Sequence, residues 1–507
     1  MKNFHVIFFL VAAGLSIPKM ALAQKIKSDT IPKGEISSTS HTARIDGKVI
    51  NYKALAGTML LRNSEDEPVA LHGFTAYFRD GIADMRTRPI TFVFNGGPGS
   101  SSIWLHMGVV GPKRAAVNDV GFTPAAPYVL EDNNSSLLDV TDIVMMDPVG
   151  TGLSRAVGKA KNSDFWGVDQ DIRAISQFIK QFVTEYDRWN SPKFLLGESY
   201  GTFRNAGVVN YLQERVGMAM NGVIMVSAVF DLRTLTFAQG DDISYVMNLP
   251  TYAATAWYHN KVPNKPASLE AFLNEARAFA KGEYTTALME GDNLSGDARA
   301  RLIDRLSYFT GLSKIYLEKS NLRVTEPEFT EELLRDQHKT VGRLDSRFTG
   351  INQDLLNKES EYDPQSAAIS PGYTALFMDY FYNTLKVNKA NAYHTSAYGR
   401  NGFTWDWKHD KNGGGFPKPP NTGPDMAEAL SRNPYLKILI LNGLYDLATP
   451  FYGVEYSIDH LELEKEIKSN IIMKYYQAGH MMYTHRPSLE QFKKETAEFI
   501  VASSKKP

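Results

Sequence analysis

The chain has 507 residues, more than one compact core usually holds, so an enlarged domain or a core interrupted by an insertion is expected. Its 55 Lys and Arg stand against 56 Asp and Glu, and a net charge of -1 gives neither a nucleic-acid footprint nor a basic membrane-binding face. There is no cysteine, which excludes disulfides, thiolate metal sites, a cysteine nucleophile and a lipidated cysteine anchor.

The first residues read as an export signal. Lys2 supplies the positive start, Val6 to Ile17 the apolar run, and Ala21-Leu22-Ala23 a small-x-small cleavage site before Gln24. Pro18 and Lys19 close the run too early for a membrane span. No later stretch approaches ~18 uninterrupted apolar residues, so no stable membrane insertion is expected once residues 1–23 are removed. Export without cysteine points to a bacterial periplasm or the outside of the cell.

Residues 24–40 are polar and read as a flexible lead-in. Residues 41–79 alternate apolar and polar between turn signals at Asp46-Gly47 and Asp80-Gly81, which predicts antiparallel hairpins. Short apolar runs follow at Ile90–Phe94, Ile143–Met146, Phe194–Leu196, Val223–Val226, Ile438–Leu441 and Ile471–Tyr475. Runs of that length, nearly continuous in apolar residues, suit parallel strands buried on both faces. Between two of them, Ile172, Ile175, Phe178, Ile179 and Phe182 recur at helical spacing over Gln170–Tyr186. The alternation predicts an α/β fold with a mostly parallel sheet flanked by helices. From 232 to 429 the pattern changes. Ser268–Lys281, Ser295–Leu317 and Thr325–Arg335 read as helices, and Gly413 to Pro424 as a Gly/Pro-rich loop. This divides the mature chain into a first core part (24–231), a largely helical insertion or cap (232–429) and a second core part (430–507).

Gly197-Glu198-Ser199-Tyr200-Gly201 follows an apolar strand and precedes a helical pattern from Phe203. A G-x-S-x-G between strand and helix is a nucleophile elbow, which points to the α/β-hydrolase fold and to Ser199 as nucleophile. A serine needs a base. Asp446 follows the strand Ile438–Leu441, and His480 follows the strand Ile471–Tyr475. Strand C-terminal ends share one edge of an α/β sheet, so Ser199, Asp446 and His480 converge in the chain order of that fold. His480 would take the Ser199 proton, and Asp446 would hold the imidazole. Asp147, before the serine in the chain, reads as structural. His485 lies close to His480, but no metal-binding spacing accompanies it, so neither metal nor cofactor is expected. Asn95-Gly96-Gly97-Pro98-Gly99 closes the strand Ile90–Phe94, where the fold places its oxyanion loop. The Gly97 and Tyr200 N–H groups are the candidate donors.

Five segments then resemble the serine carboxypeptidase family: Asn95-Gly-Gly-Pro-Gly-Ser-Ser101, Asp147-Pro-Val-Gly-Thr-Gly-Leu-Ser154, Gly197-Glu-Ser-Tyr-Gly201, Gly443-x-x-Asp446 and Ala478-Gly-His-Met481. The resemblance implies release of single amino acids from peptide or protein C-termini, under a helical insertion over the site. It implies that Asn95, with Gly96 beside it, and Glu198 bind the substrate's terminal carboxylate. Two carboxyl groups in contact cannot both ionise cheaply, so Glu198 would have to hold a proton. The chain departs from the family where a second Glu is usual, at Val109, and where a Cys is usual, at Ser100. It also lacks a Gln between Asp147 and Pro148. An esterase or acyltransferase would use the same Ser199, Asp446 and His480. Trp405 and Trp407 read as packing residues rather than as a substrate wall.

Overall fold

The six predicted strands lie in a single sheet; five are buried along their apolar runs, while the last, at the sheet edge, leaves Ile472 exposed. A computed structural model describes residues 33–505 apart from 401, 414 and 417; the export signal expected over 1–23 lies outside these residues. The sheet begins with an antiparallel meander, β1 (Ile36–Ile45), β2 (Lys48–Arg62) and β3 (Pro68–Arg79). Asp46 (φ 48°) and Gly47 (φ 72°) make the tight turn between β1 and β2, both in the left-handed region that such two-residue hairpins favour. The lead-in expected over 24–40 ends sooner than its composition suggests: Ile36 to Ser40 pair with Gly57 to Lys53. Polar Ser and Thr residues are at home on a solvated edge strand, where the backbone ladder supplies the binding.

The remaining strands are β4 (Ile90–Phe94), β5 (Asp142–Met146), β6 (Lys193–Glu198), β7 (Gly222–Val226), β8 (Lys437–Gly443) and β9 (Ile471–Tyr476). The spatial order is β1-β2-β3-β5-β4-β6-β7-β8-β9, with the short strand Arg155–Ala156 paired to β3 as the tenth member of the sheet. From β5 through β9 every pairing is parallel. Side chains alternate between two cores. Val93, Leu196, Ile224 and Leu441 enter one, while Phe92, Leu195, Met225 and Ile440 enter the other. Helix α1 (Val168–Glu185) lays Ile172, Ile175, Phe178, Ile179 and Phe182 onto the second core. It packs against α2 (Tyr200–Tyr211), which leaves β6 through Ser199.

The chain between β7 and β8 does three things. Helices α3 (Ile243–Tyr258), α4 (Leu269–Phe279) and α5 (Gly296–Thr310) enclose an apolar core of their own, and Tyr445, Leu447 and Phe451 join it from beyond β8. Helix α6 (Pro364–Asp379) instead sends Ile369, Tyr373 and Phe377 into the first sheet core, beside Ile103 and Val109. The helix expected across 295–317 breaks at Gly311, whose left-handed φ of 71° caps α5. The loop expected to run to Pro424 stops at Thr422. There α7 (Gly423–Arg432) begins, with Pro424 in its first turn, and packs on α2. Two further helices, α8 (Phe451–Asp459) and α9 (Arg486–Ser503), follow β8 and β9. Among the described residues no helix is long and apolar enough to cross a membrane, and no group of His, Asp or Glu is arranged to hold a metal ion.

One buried clasp ties the segment before α7 to the core. His409 Nδ1 lies 2.6 Å from Asp169 at the start of α1, and its Nε2 lies 2.7 Å from Asp425 at the start of α7. Burial works against a charged imidazole here, but the hydrogen bonds and charges of the two carboxylates outweigh it and lift its pKa to about 9. A folded-state pKa above the ordinary one stabilises the fold fully below the ordinary value, and the contribution fades as pH rises through about 9. His409→Gln is therefore expected to lower the melting temperature by several degrees at about pH 6 and by much less at about pH 10, measured by calorimetry across that range.

Candidate active site

β6 ends at Glu198 and α2 starts at Tyr200, so Ser199 must turn the chain by itself. It does so at φ 59° and ψ -130°, a conformation that side chains rarely adopt. The strain is held by close packing at the flanking glycines. A Cβ on Gly197 would stand 2.4 Å from the Gly201 carbonyl oxygen, and one on Gly201 would stand 3.0 Å from that of Phe94. The Ser199 N–H donates to Val226 O at 3.0 Å, and the Thr202 hydroxyl donates to Ser199 O at 2.7 Å. The hydroxyl of Ser199 is left at the mouth of α2, where helix N–H groups favour developing negative charge.

The other predicted residues converge on it. Each follows a sheet strand at the same edge: Asn95 after β4, Asp446 after β8, His480 after β9. His480 Nδ1 donates to Asp446 Oδ2 at 2.8 Å. Asp446 is fully buried and holds three more donors: the Ala448 and Thr449 N–H groups on Oδ1, each at 2.9 Å, and the Thr449 hydroxyl on Oδ2 at 2.7 Å. Burial alone would push the His480 pKa down. The charge and hydrogen bond of Asp446, with Glu198 behind, reverse that and raise it. Ser199 and His480 both line a cavity of about 220 Å³ with Asn95, Gly97, Glu198 and Arg343.

The loop after β4 presses on the elbow. A Cβ on Gly96 would meet the Tyr200 nitrogen at 2.5 Å, so only glycine fits there. Gly97 continues at φ 110°. Among the described residues neither the Gly97 nor the Tyr200 N–H donates to a backbone carbonyl. Asn95 is buried and shared. Its Oδ1 accepts the Leu105 N–H at 3.1 Å, its Nδ2 donates to Glu198 Oε1 at 2.8 Å, and its carbonyl accepts Arg204 Nη1 at 2.7 Å. The second oxygen of Glu198 accepts the Tyr483 hydroxyl at 2.7 Å. Burial lifts the Glu198 pKa to about 7, against the lowering effects of His480, Tyr483 and Asn95.

Asp147 is buried, and its Oδ1 accepts the Ser102 N–H, the Ser102 hydroxyl and the Tyr393 hydroxyl, so it braces the loop after β4 from behind. His485 Nδ1 meets Ser488 Oγ at 2.7 Å at the start of α9. Val109 is fully buried. The rings of Trp405 and Trp407 stand 5.4 and 6.0 Å from that of Tyr200, edge-on, and buttress the elbow.

The sequence model of the serine carboxypeptidases matches residues 64–495. The chain belongs to the serine carboxypeptidase family. It is similar to serine carboxypeptidase-like 45 of Arabidopsis thaliana, 22% identical over 176 residues, which cover 34% of each chain. The match thus spans about a third of that relative's length. It is similar in structure to Kex1(delta)p, a prohormone-processing carboxypeptidase of Saccharomyces cerevisiae, at a TM-score of 0.53 and 15% identity over 88% of this chain and 91% of that one. The proline iminopeptidase of Mycobacterium smegmatis aligns at a TM-score of 0.34 and 12% identity over 92% of this chain and 99% of that one. The fold of this serine carboxypeptidase family member is the α/β-hydrolase fold.

Sequence reasoning missed a strap from the insertion that holds the site together. Leu344 O accepts the His480 N–H at 2.6 Å, and Asp345 Oδ2 accepts the Gly479 N–H at 3.0 Å. The Ser346 N–H donates to Tyr445 O, and Leu447 N–H to Arg343 O, so residues 343–346 also grip the Asp446 loop. Arg347 forks onto Asp345, both buried, with Nη2 to Oδ2 at 2.6 Å. Nothing in Arg343-Leu-Asp-Ser-Arg347 marks it as more than a polar loop. Arg204, paired to Asp171 at 2.6 Å under the Asn95 carbonyl, was equally silent. In this carboxypeptidase-family chain, Asp345→Ala would leave buried Arg347 with only the half-exposed Asp119, at 3.3 Å, as an acidic partner and would free the His480 loop. The expected cost is about 3 kcal/mol of stability. A displaced His480 is expected to lose on the order of 100-fold in kcat/KM. Denaturant unfolding and hydrolysis kinetics on the same preparation check both.

Proposed function

We propose that the chain is an exported serine carboxypeptidase that removes single residues from peptide C-termini through an acyl-enzyme on Ser199. The observation that carries this reading is the Asn95–Glu198 pair. It is a buried amide and carboxyl in hydrogen-bond contact, one residue before the nucleophile and on the wall of its cavity. A buried carboxyl with its pKa lifted to about 7 is protonated below that pH, so it can donate to a carboxylate rather than repel one.

Ser199 Oγ attacks the carbonyl carbon of the last peptide bond while His480 Nε2 takes its proton, and Asp446 stabilises the imidazolium. The oxyanion that forms would accept the Gly97 and Tyr200 N–H groups, each worth about 3 kcal/mol in the transition state. Collapse breaks the C–N bond, and His480 returns the proton to the departing amine. Water, deprotonated by His480, then cleaves the acyl ester and regenerates Ser199. Asn95, Gly96 and Glu198 would hold the terminal carboxylate so that only the last bond reaches Ser199. Export rests on the sequence of residues 1–23, and periplasm or exterior are its two destinations. Peptide C-termini are the partners this site would take; no metal or other cofactor enters any step.

Val109 supports a second reading. An apolar, fully buried side chain where relatives carry a second carboxyl weakens carboxylate recognition and favours an esterase or acyltransferase. N-blocked dipeptides with a free C-terminus, tested beside the same peptides amidated, separate the two. The proposal expects cleavage of the free acids alone, abolished in Ser199→Ala. Hydrolysis of acyl esters with no action on either peptide would select the second reading.

The pH dependence has a definite sign. Binding of a free carboxylate should hold below about pH 7 and weaken as Glu198 ionises above it. Profiles of KM for free-acid peptides check this. An affinity already falling steeply near about pH 5, the range of an ordinary carboxyl, would contradict it.

A further inference from the structure

The partner of Glu198 is as informative as Glu198 itself. Tyr483 sits on the short turn Met482–Thr484 immediately after the His480 loop. Its ring is fully buried, and its hydroxyl donates to Glu198 Oε2 at 2.7 Å. With Asn95 Nδ2 on Oε1, each oxygen of Glu198 is held by a different donor on a different element. The ring reaches this position because residue 108 has no side chain. A Cβ on Gly108 would lie 2.3 Å from Tyr483 Cε2 and 2.6 Å from Cδ2. Gly108 belongs to the turn His106–Val110, so the segment that carries Val109 is shaped to admit a phenol rather than to offer a carboxyl.

We propose that Tyr483 is the positioning residue of the carboxylate subsite: its hydroxyl fixes Glu198 in the orientation that meets the substrate's C-terminus, in the place a second acid would otherwise fill. This rests on the carboxypeptidase reading above. The chemistry differs from that of an acid pair. Two carboxyls share one proton and repel when both ionise. A phenol carries no charge in the working range: burial and the neighbouring Glu198 push the Tyr483 hydroxyl well above its ordinary pKa, so it stays a donor. It therefore favours ionised Glu198 and opposes the upward push of burial. The charged or titratable groups facing Glu198 are His480, Asp446, Tyr483 and Tyr373, and Tyr373 has its hydroxyl buried without a hydrogen-bond partner among the described residues.

The sign of the effect distinguishes this role from mere packing. Tyr483→Phe keeps the ring and removes the donor. Glu198 should then hold its proton to higher pH, and the pH at which KM for free-acid dipeptides begins to rise should move up by about one unit. KM should also increase several-fold below that point, because Glu198 is no longer oriented, with a smaller change in kcat. Glu198→Gln should remove that limb of the profile, and adding Tyr483→Phe to it should then shift nothing. Should Tyr483→Phe fail to fold, 3-fluorotyrosine placed at 483 keeps the shape and strengthens the donor, and the limb should move down instead. A uniform change in KM or kcat across the pH range, with the limb in place, would overturn the role of Tyr483 while leaving the carboxypeptidase reading intact. A wild-type protein indifferent to the free carboxylate would instead overturn that reading, and this role with it.

Discussion

Ser199 stands at φ 59° and ψ -130°, and most of the site can be traced to what that conformation requires. Such a turn stores strain, and it persists only where the surroundings over-determine it. Here the surroundings are backbone. Gly197 and Gly201 let the chain cross itself, and Gly96 lets the loop after β4 come within contact of the Tyr200 nitrogen. The same approach sets Asn95 against Glu198, with Nδ2 donating to Oε1 at 2.8 Å. A bulkier residue at any of these glycines would separate the elements that the turn brings together. The sheet supplies the rigid base, since β4, β6 and β7 pair in parallel up to the elbow, with Phe94 opposite Gly197 and Val226 opposite Glu198.

Electrostatics then divides the buried acids by their company. Asp446 accepts four hydrogen bonds, counting the one from His480, and they fix its carboxylate in place. Asp147 has three donors on one oxygen, yet burial still lifts its pKa to about 6. Glu198 has two neutral donors and lies deep, and its proton is held to about 7. Three carboxyls at one edge of the sheet thus differ in the donors that surround them.

Much of this was legible from residues alone. Every core strand was, because a short apolar run with no alternation has few other fates. So was the convergence of Ser199, Asp446 and His480, because strand ends share an edge. The insertion was harder. Helix α3 is buried almost all round from Ser244 to Ala256 and contains Pro250, so it shows neither a polar stripe nor a clean helical composition. Helix α6 does bury one face, at 364/365, 368/369, 372/373 and 376/377, but Pro371 and Gly372 spoil its helical composition. The strap at 343–347 gave no signal at all. Its importance lies in carbonyls and N–H groups meeting loops about a hundred residues away or more, and backbone has no letter in the sequence. Tyr483 lay beside a recognised motif, but its reach to Glu198 depends on the missing side chain of Gly108, and only three-dimensional packing joins the two.

The central claim is that these parts act together on the end of a peptide chain. Incubating the protein with an unblocked peptide of about ten residues and following the products by mass spectrometry tests this most directly. The account predicts a ladder of products shortened one residue at a time from the C-terminus, absent with Ser199→Ala. Internal cleavage, shortening from the N-terminus, or an intact peptide in the presence of a Ser199 that still reacts with a fluorophosphonate would contradict it.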